Sequence, residues 1–259
     1  MAGCQNCAKT RKWTCRDRGG RLESWTVKGY GQFCPVAVAS EIFAERWTPL
    51  ILRELLAGET RFNAIRRGVP LMSRTLLARR LRELEDAGVV ETRAIPGARG
   101  REYRLTTSGQ EFQQLVDALG VWGQRWGTAQ FQEEHLDVGV LMWNIRRRID
   151  RSRLPGRRVV VRFEFHGVSP QCRKLRTWWL VLEPSDVDLC LKDPGFDVDL
   201  VVTADAATMA RVWMGEVALT RAIGDRGVRL DGPRELVRAF PGWLLLSHYA
   251  EVERPPRAR

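Results

Sequence analysis

Residues Arg61–Gly88 read RFNAIRRGVPLMSRTLLARRLRELEDAG, and seven arginines precede the first acid, Glu83. Phe62 and Ile65, then Leu77, Leu81 and Leu84, recur at helical spacing. The pattern predicts two short helices joined by the turn GVPLM, each with one apolar face. Ser73 is placed to cap the second helix and Gly88 to end it. What remains outside is cationic, a face suited to a polyanion.

Working outward, the chain before this stretch predicts two more helices. PVAVASEIFAERW carries Val38, Ile42 and Phe43 on one face, and PLILRELLAG follows a Thr48–Pro49 start. Thr60 is placed to cap the helix RFNAIRR. After Gly88, VVETRAI and REYRLT flank the tip PGARG, which predicts a β-hairpin. TTSGQEFQQLVDALGVWGQRW then opens on a T-x-x-Q capping box at Thr107 and Gln110. Four helices, a hairpin and a long helix make a winged helix-turn-helix. None of the helices is long enough to be stable alone, so they must share a core, for which Leu52, Leu55, Phe62, Ile65, Leu77, Leu81 and Leu84 are the candidates.

In a helix-turn-helix the second helix enters the major groove, its N-terminal residues toward the base edges. With its leucines turned inward, Ser73, Arg74, Thr75, Arg79 and Arg82 project outward. Arginine suits bidentate binding of guanine. Arg61, Arg66 and Arg67 on the preceding helix are placed for backbone phosphate, and Arg99 and Arg101 at the wing tip for phosphate or the minor groove.

The stretches CP (Cys34, Pro35), ERWTPLILREL (45–55), RFNAI (61–65) and SRTLLARRLRELEDAGVV (73–90) resemble the HxlR family of bacterial transcriptional regulators. The resemblance spans roughly 95 residues. It implies a homodimer on a palindromic double-stranded DNA operator, paired through N- and C-terminal helices. Leu115, Leu119, Trp122 and Trp126 would form the C-terminal pairing face; the other reading packs that stripe against the second half of the chain. In some relatives the cysteine of the C-P pair senses oxidants or electrophiles, which makes Cys34 a possible redox-sensing residue. The plainer reading of Cys34 is a small buried apolar group.

The second half is patterned differently. LDVGVLMWNIRRRI reads as a bridging helix, and the basic run to Arg158 as a solvated linker rather than a second DNA contact. RRVVVRFEF, RTWWLVLE, VDLCLKD and DVDLVVTAD read as strands, the alternation in the last two marking them as half-buried and antiparallel, followed by helices, a short strand VRLDG and a last helix. The segment DLVVTADAATMARVWMGEVALTRAIGDRGVRLDGPRELVRAF is similar to sterol carrier protein type 2-like domains. That resemblance implies an apolar cavity between sheet and helices, with Trp178, Trp213, Met214, Leu219 and Trp243 as possible apolar ligand-binding residues. A plain core would use the same residues.

The expected architecture is therefore α+β: a basic flexible tail over 1–29, a winged helix-turn-helix domain over 34–130, a bridging helix and linker over 131–157, and a sterol-carrier-like domain over 158–250. Net charge is +11 in 259 residues, with 37 arginines against 5 lysines, so where the charge sits says more than its total. Absence of an apolar run of membrane length or of a secretory leader predicts a cytoplasmic protein. Cys4, Cys7 and Cys15 offer one closely spaced pair, half of what a zinc site normally needs. Three histidines without metal spacing, and no nucleophile elbow or phosphate loop, point away from an enzyme; no cofactor or metal is expected. The favoured reading is a sequence-specific DNA-binding regulator, possible small apolar effector included. The alternative is a lipid or hydrophobic-metabolite carrier with a nonspecific basic half.

Overall fold

A computed structural model describes residues 5–6, 12–16, 22–26, 29–95, 97, 100–127, 136–168 and 174–255. In place of an unstructured tail, three short strands run antiparallel: β1 (Gln5–Asn6), β2 (Lys12–Arg16) and β3 (Leu22–Thr26), with Trp13 opposite Trp25. Tryptophan and threonine at these positions favour extended backbone. The cysteine side chains of the zinc reading lie outside the described residues.

The predicted helices form, with local corrections at their starts. α1 (Pro35–Phe43) follows Cys34. α2 (Thr48–Leu56) starts from Trp47 in the left-handed conformation (φ 79°), so Thr48 is its first residue and not its cap. Thr60 does not cap α3 (Phe62–Gly68): the cap position falls on Arg61, and the Thr60 carbonyl accepts the Tyr103 amide of the wing, 2.8 Å away. Ser73 does cap α4 (Arg74–Asp86): its Oγ accepts the Leu76 amide at 3.2 Å. Gly88 takes the left-handed conformation past the helix end (φ 70°), as a C-terminal stop requires.

β4 (Val90–Ala94) and β5 (Arg101–Leu105) pair antiparallel as the wing. α5 (Thr107–Trp122) is capped one residue earlier than predicted, by Thr106, and runs into a π-helical turn over 123–127. The Thr106 hydroxyl also donates to the Gly88 carbonyl (2.7 Å), tying α5 to the end of α4. Of the predicted core, Leu52, Leu55, Ile65, Leu77, Leu81 and Leu84 are buried, joined by Ile51, Val69, Met72 and Val116; Phe62 is half-buried at the margin.

The second domain begins earlier than expected. α6 (Val138–Arg147), capped by Asp137, is no bridge: Leu141, Met142, Trp143 and Ile145 are buried in the second core. β6 (Val159–His166), β7 (Thr177–Leu182), β8 (Val187–Cys190), β9 (Leu200–Asp205) and β10 (Val228–Asp231) form one sheet in the order β10-β9-β6-β7-β8. Its central pair, β6 and β9, is parallel, whereas the other pairs are antiparallel. The antiparallel expectation for β9 fails at its pairing with β6, because the chain crosses from edge strand β8 to the far side of β6. α7 (Ala206–Trp213), α8 (Leu219–Gly224) and α9 (Arg234–Trp243) complete the layer, with Met209, Phe240 and Trp243 in the core.

The arginines after α6 lie largely on the surface, as a solvated linker would have them, and are bonded as well. Arg148 donates to the Leu246 carbonyl and Arg151 to that of Ser185; Arg157 pairs with Asp199 and Arg158 with Glu183. They fasten the segment to its own domain.

Candidate nucleic-acid interface

The leucines of α4 point inward, so the opposite face is left to polar residues by the helical period. Ser73, Arg74, Thr75, Arg79 and Arg82 are all exposed on it. Arg74 lies over the Phe62 ring, 5.7 Å from its centroid, a cation–π contact that steadies the guanidinium beside α3. Arg79 sits 3.6 Å from Glu83, one turn on, a loose pair between two exposed groups that a phosphate or guanine can outcompete. Arg80, on the same helix, is different: it bonds Glu45 and Glu83, both at 2.5 Å, and is largely buried. It holds α4 in place.

Arg61 is exposed at the start of α3, and its backbone bridges to Glu102 of the wing. Arg66 is half-buried and Arg101 is exposed on β5; Arg99 lies outside the described residues. Arg67 has a partner beyond the first domain. It is exposed, and its guanidinium lies 5.1 Å from the centre of Trp143, a residue of α6, at the junction between the two domains. The structure thus brings the predicted α4 residues onto one open surface with Arg61 and the wing, and sets Arg67 beside Trp143.

Cys34 is an exposed free thiol in front of α1, not the buried apolar group of the plainer reading. The reason is local: α1 has no buried residue, so nothing covers its first turn. Cys190 is half-buried, and burial pushes its thiol above the ordinary range, with Asp188 adding to the effect.

Apart from Met214, the residues of the apolar-ligand expectation belong to the second domain's core or its margin. Trp178 and Trp243 are buried core side chains, and Trp213 and Leu219 pack at the core margin. Two grooves lie in the first domain instead. One, of about 620 Å³, runs between Leu55, Thr60, Tyr103 and Gln110; the other, of about 210 Å³, is edged by Glu41, Glu45 and Arg80. Among the described residues no group of three or more His, Cys, Asp or Glu is placed to hold a metal ion, and no helix is long and apolar enough to cross a membrane.

Sequence patterning missed Glu54. It belongs to the run ILRELL, one turn after Ile51 and next to Leu55, and is fully buried with them. An acid on the apolar face of a helix was the available signal, since a buried carboxylate must find donors.

A family model described as HxlR-like helix-turn-helix matches residues 42–131, most of the first domain. The chain is 37% identical over 98 residues to an uncharacterised HTH-type transcriptional regulator of Methanothermobacter thermautotrophicus, covering 38% of this chain and 75% of that protein. It is 36% identical over 97 residues to the uncharacterised HTH-type transcriptional regulator YvaP of Bacillus subtilis, covering 37% of this chain and 90% of that one. Identity to the HTH-type transcriptional regulator YodB of Bacillus subtilis is 32% over 94 residues, covering 36% and 84%.

Proposed function

The chain belongs to the HxlR-like helix-turn-helix family, and on that premise we propose that it is a homodimeric, sequence-specific regulator of transcription. α4 enters the major groove of a palindromic operator, with Arg74, Arg79 and Arg82 toward base edges and Ser73 and Thr75 at the groove mouth. Arg61, Arg66 and the wing residues Arg99 and Arg101 hold backbone phosphate. The observation that carries this reading is the exposure of all five predicted α4 residues on one face of a capped helix whose leucines are buried.

Dimerisation is supported by apolar surface that one chain leaves bare. Leu115, Leu119, Trp122 and Trp126 form an exposed stripe along α5, and Phe33, Val36 and Val38 are exposed at α1. α1 packs on the first core only through Ile42 and Phe43, the latter stacked on Phe112, which leaves its Val36 and Val38 side bare. The second domain does not cover the α5 stripe: it meets α5 through Asp117, Gly120 and Gln124, away from it.

For the second domain we infer a sterol-carrier-like fold with a ligand-sensing or packing role. Supporting it is the order of elements across the resembling segment: β9 ending on Asp205, α7, α8 ending on Gly224, then β10 and α9. An effector acting there must bind the DNA-competent and incompetent states with unequal affinity.

The test is a footprint on the chain's own upstream DNA against random duplex. A specific reader prefers its site by ~10³ or more. Arg74→Ala and Arg79→Ala are expected to abolish that preference. Equal protection of both DNAs by the unaltered protein overturns the reading.

A further inference from the structure

Glu54 lies on α2, inside the first domain, yet one of the two cations that neutralise it, and a further hydrogen-bond donor, come from the second. Its Oε2 accepts the indole N–H of Trp143 (3.1 Å) and Nη1 of Arg147 (2.9 Å), both from α6. Its Oε1 accepts Nε and Nη2 of Arg53, at 3.0 and 2.8 Å, and a longer contact from Arg147 Nη2. A carboxylate taken fully out of water needs these partners, and losing them is far costlier than never burying it.

The same node grips α3. Arg53 Nη2 also donates to the Gly68 carbonyl (3.0 Å), the last residue of that helix. Gly68 itself packs on the carboxylate, for a Cβ built there falls 2.0 Å from its carboxyl carbon. One residue earlier, Arg67 stacks on Trp143, and Arg146 covers the same ring at 4.7 Å while reaching Glu59 (3.4 Å). The C-terminal end of α3 is therefore seated on α6, not on its own domain alone. α3 is the first helix of the helix-turn-helix, the one that crosses the DNA backbone.

We propose that the second domain positions the DNA-reading helices, with Trp143 and Arg147 of α6 acting through Glu54 as the positioning residues. This rests on the DNA-binding reading above and deepens it. Binding the operator requires α3 and α4 at a fixed spacing, and the seat of α3 is built from residues 89 and 93 positions downstream of Glu54. Much of the seam is charged: Glu54, Glu59, Arg146 and Arg147 meet there beside the buried Trp143 ring. A displacement of α6 thus has a direct route to α3, whatever causes it.

The experiment compares the full chain with Trp143→Phe, which keeps the ring and deletes the N–H donor, and with Glu54→Gln. Amide hydrogen exchange is measured without DNA. Loss of one hydrogen bond to a charged group is expected to speed exchange over residues 62–72 about tenfold. Binding to the footprinted duplex is expected to weaken about tenfold, with the salt dependence unchanged because no phosphate contact is lost. Arg61→Ala should behave oppositely and lower the log–log salt slope by about 0.9. If exchange rises only over residues 138–150, or evenly over the whole chain, the positioning role is overturned. If Trp143→Phe and unaltered protein bind the specific duplex equally, it is overturned too, with the DNA reading intact. Faster α3 exchange in a protein that never distinguishes its own upstream DNA from random duplex leaves the positioning standing and removes the DNA reading instead. Should Glu54→Gln fail to fold, Trp143→Phe alone decides.

Discussion

At the scale of single residues, the interface depends on groups that look unremarkable in isolation. Ser73 is exposed, but its Oγ satisfies one of the four free amides at the start of α4. Ser73→Ala is expected to destabilise the chain by about 0.5–2 kcal/mol in urea unfolding. Gly68→Ala should cost more, about 1–3 kcal/mol, because the new methyl collides with the Glu54 carboxylate and cannot be relieved without moving α3. Glu59 supplies a pH signature. Burial holds its carboxyl above the usual carboxylate range, against the pull of Arg146 and Arg147. A carboxyl whose folded pKa exceeds the unfolded one binds its proton more tightly when folded. Stability therefore falls as pH rises from the unfolded value through the folded one, and the penalty is fully present above both. Unfolding midpoints measured between about pH 4 and 7 should show that fall shrinking in Glu59→Gln; an identical pH profile in the variant would refute the assignment.

At the scale of elements, α5 serves three partners on three faces. Phe112 and Val116 pack on the first core, Asp117 and Gly120 meet Tyr249 of the C-terminal segment, and Leu119 and Trp122 face outward. Turning about 100° per residue, one helix can hold these faces apart. Trp122→Glu is expected to leave the unfolding midpoint of the single chain nearly unchanged, since the ring is 62% exposed, while shifting sedimentation toward the monomer. A variant that still sediments as the unaltered protein does would remove α5 from the dimer contact. α4 and the wing were legible in the sequence because their signals are local: a capping serine, leucines at helical spacing, glycine stops. The pairing of β6 with β9 was not, since alternation reports burial on a strand and says nothing of its neighbour's direction. The contact of Arg67 with Trp143 was hidden for the same reason: the two are remote in sequence. Glu54 depends on Arg147, 93 residues away, and no window over α2 contains that information.

At the scale of the whole molecule, the charge of +11 overstates what a polyanion can reach. The arginines from 146 to 158 bond carbonyls and carboxylates of the protein itself. Arg157→Ala with Arg158→Ala should therefore leave the salt dependence of DNA binding unaltered, whereas each phosphate-holding arginine removed from α3 or the wing lowers the slope by about 0.9. A slope that falls with the first pair would place the second domain on DNA. The fastening of α5 by the C-terminal segment has a further consequence. Tyr249 reaches Asp117 across 132 residues (Oη to Oδ1, 3.3 Å), and Arg254 reaches the Met214 carbonyl that Gln124 also uses. On a ribosome adding about 5–20 residues per second, those closing residues emerge several seconds to tens of seconds after α5. During each round of synthesis the DNA-reading half is thus out of the exit tunnel before the groups that fasten it have been made, and it must stay soluble through that interval with its aromatic stripe uncovered.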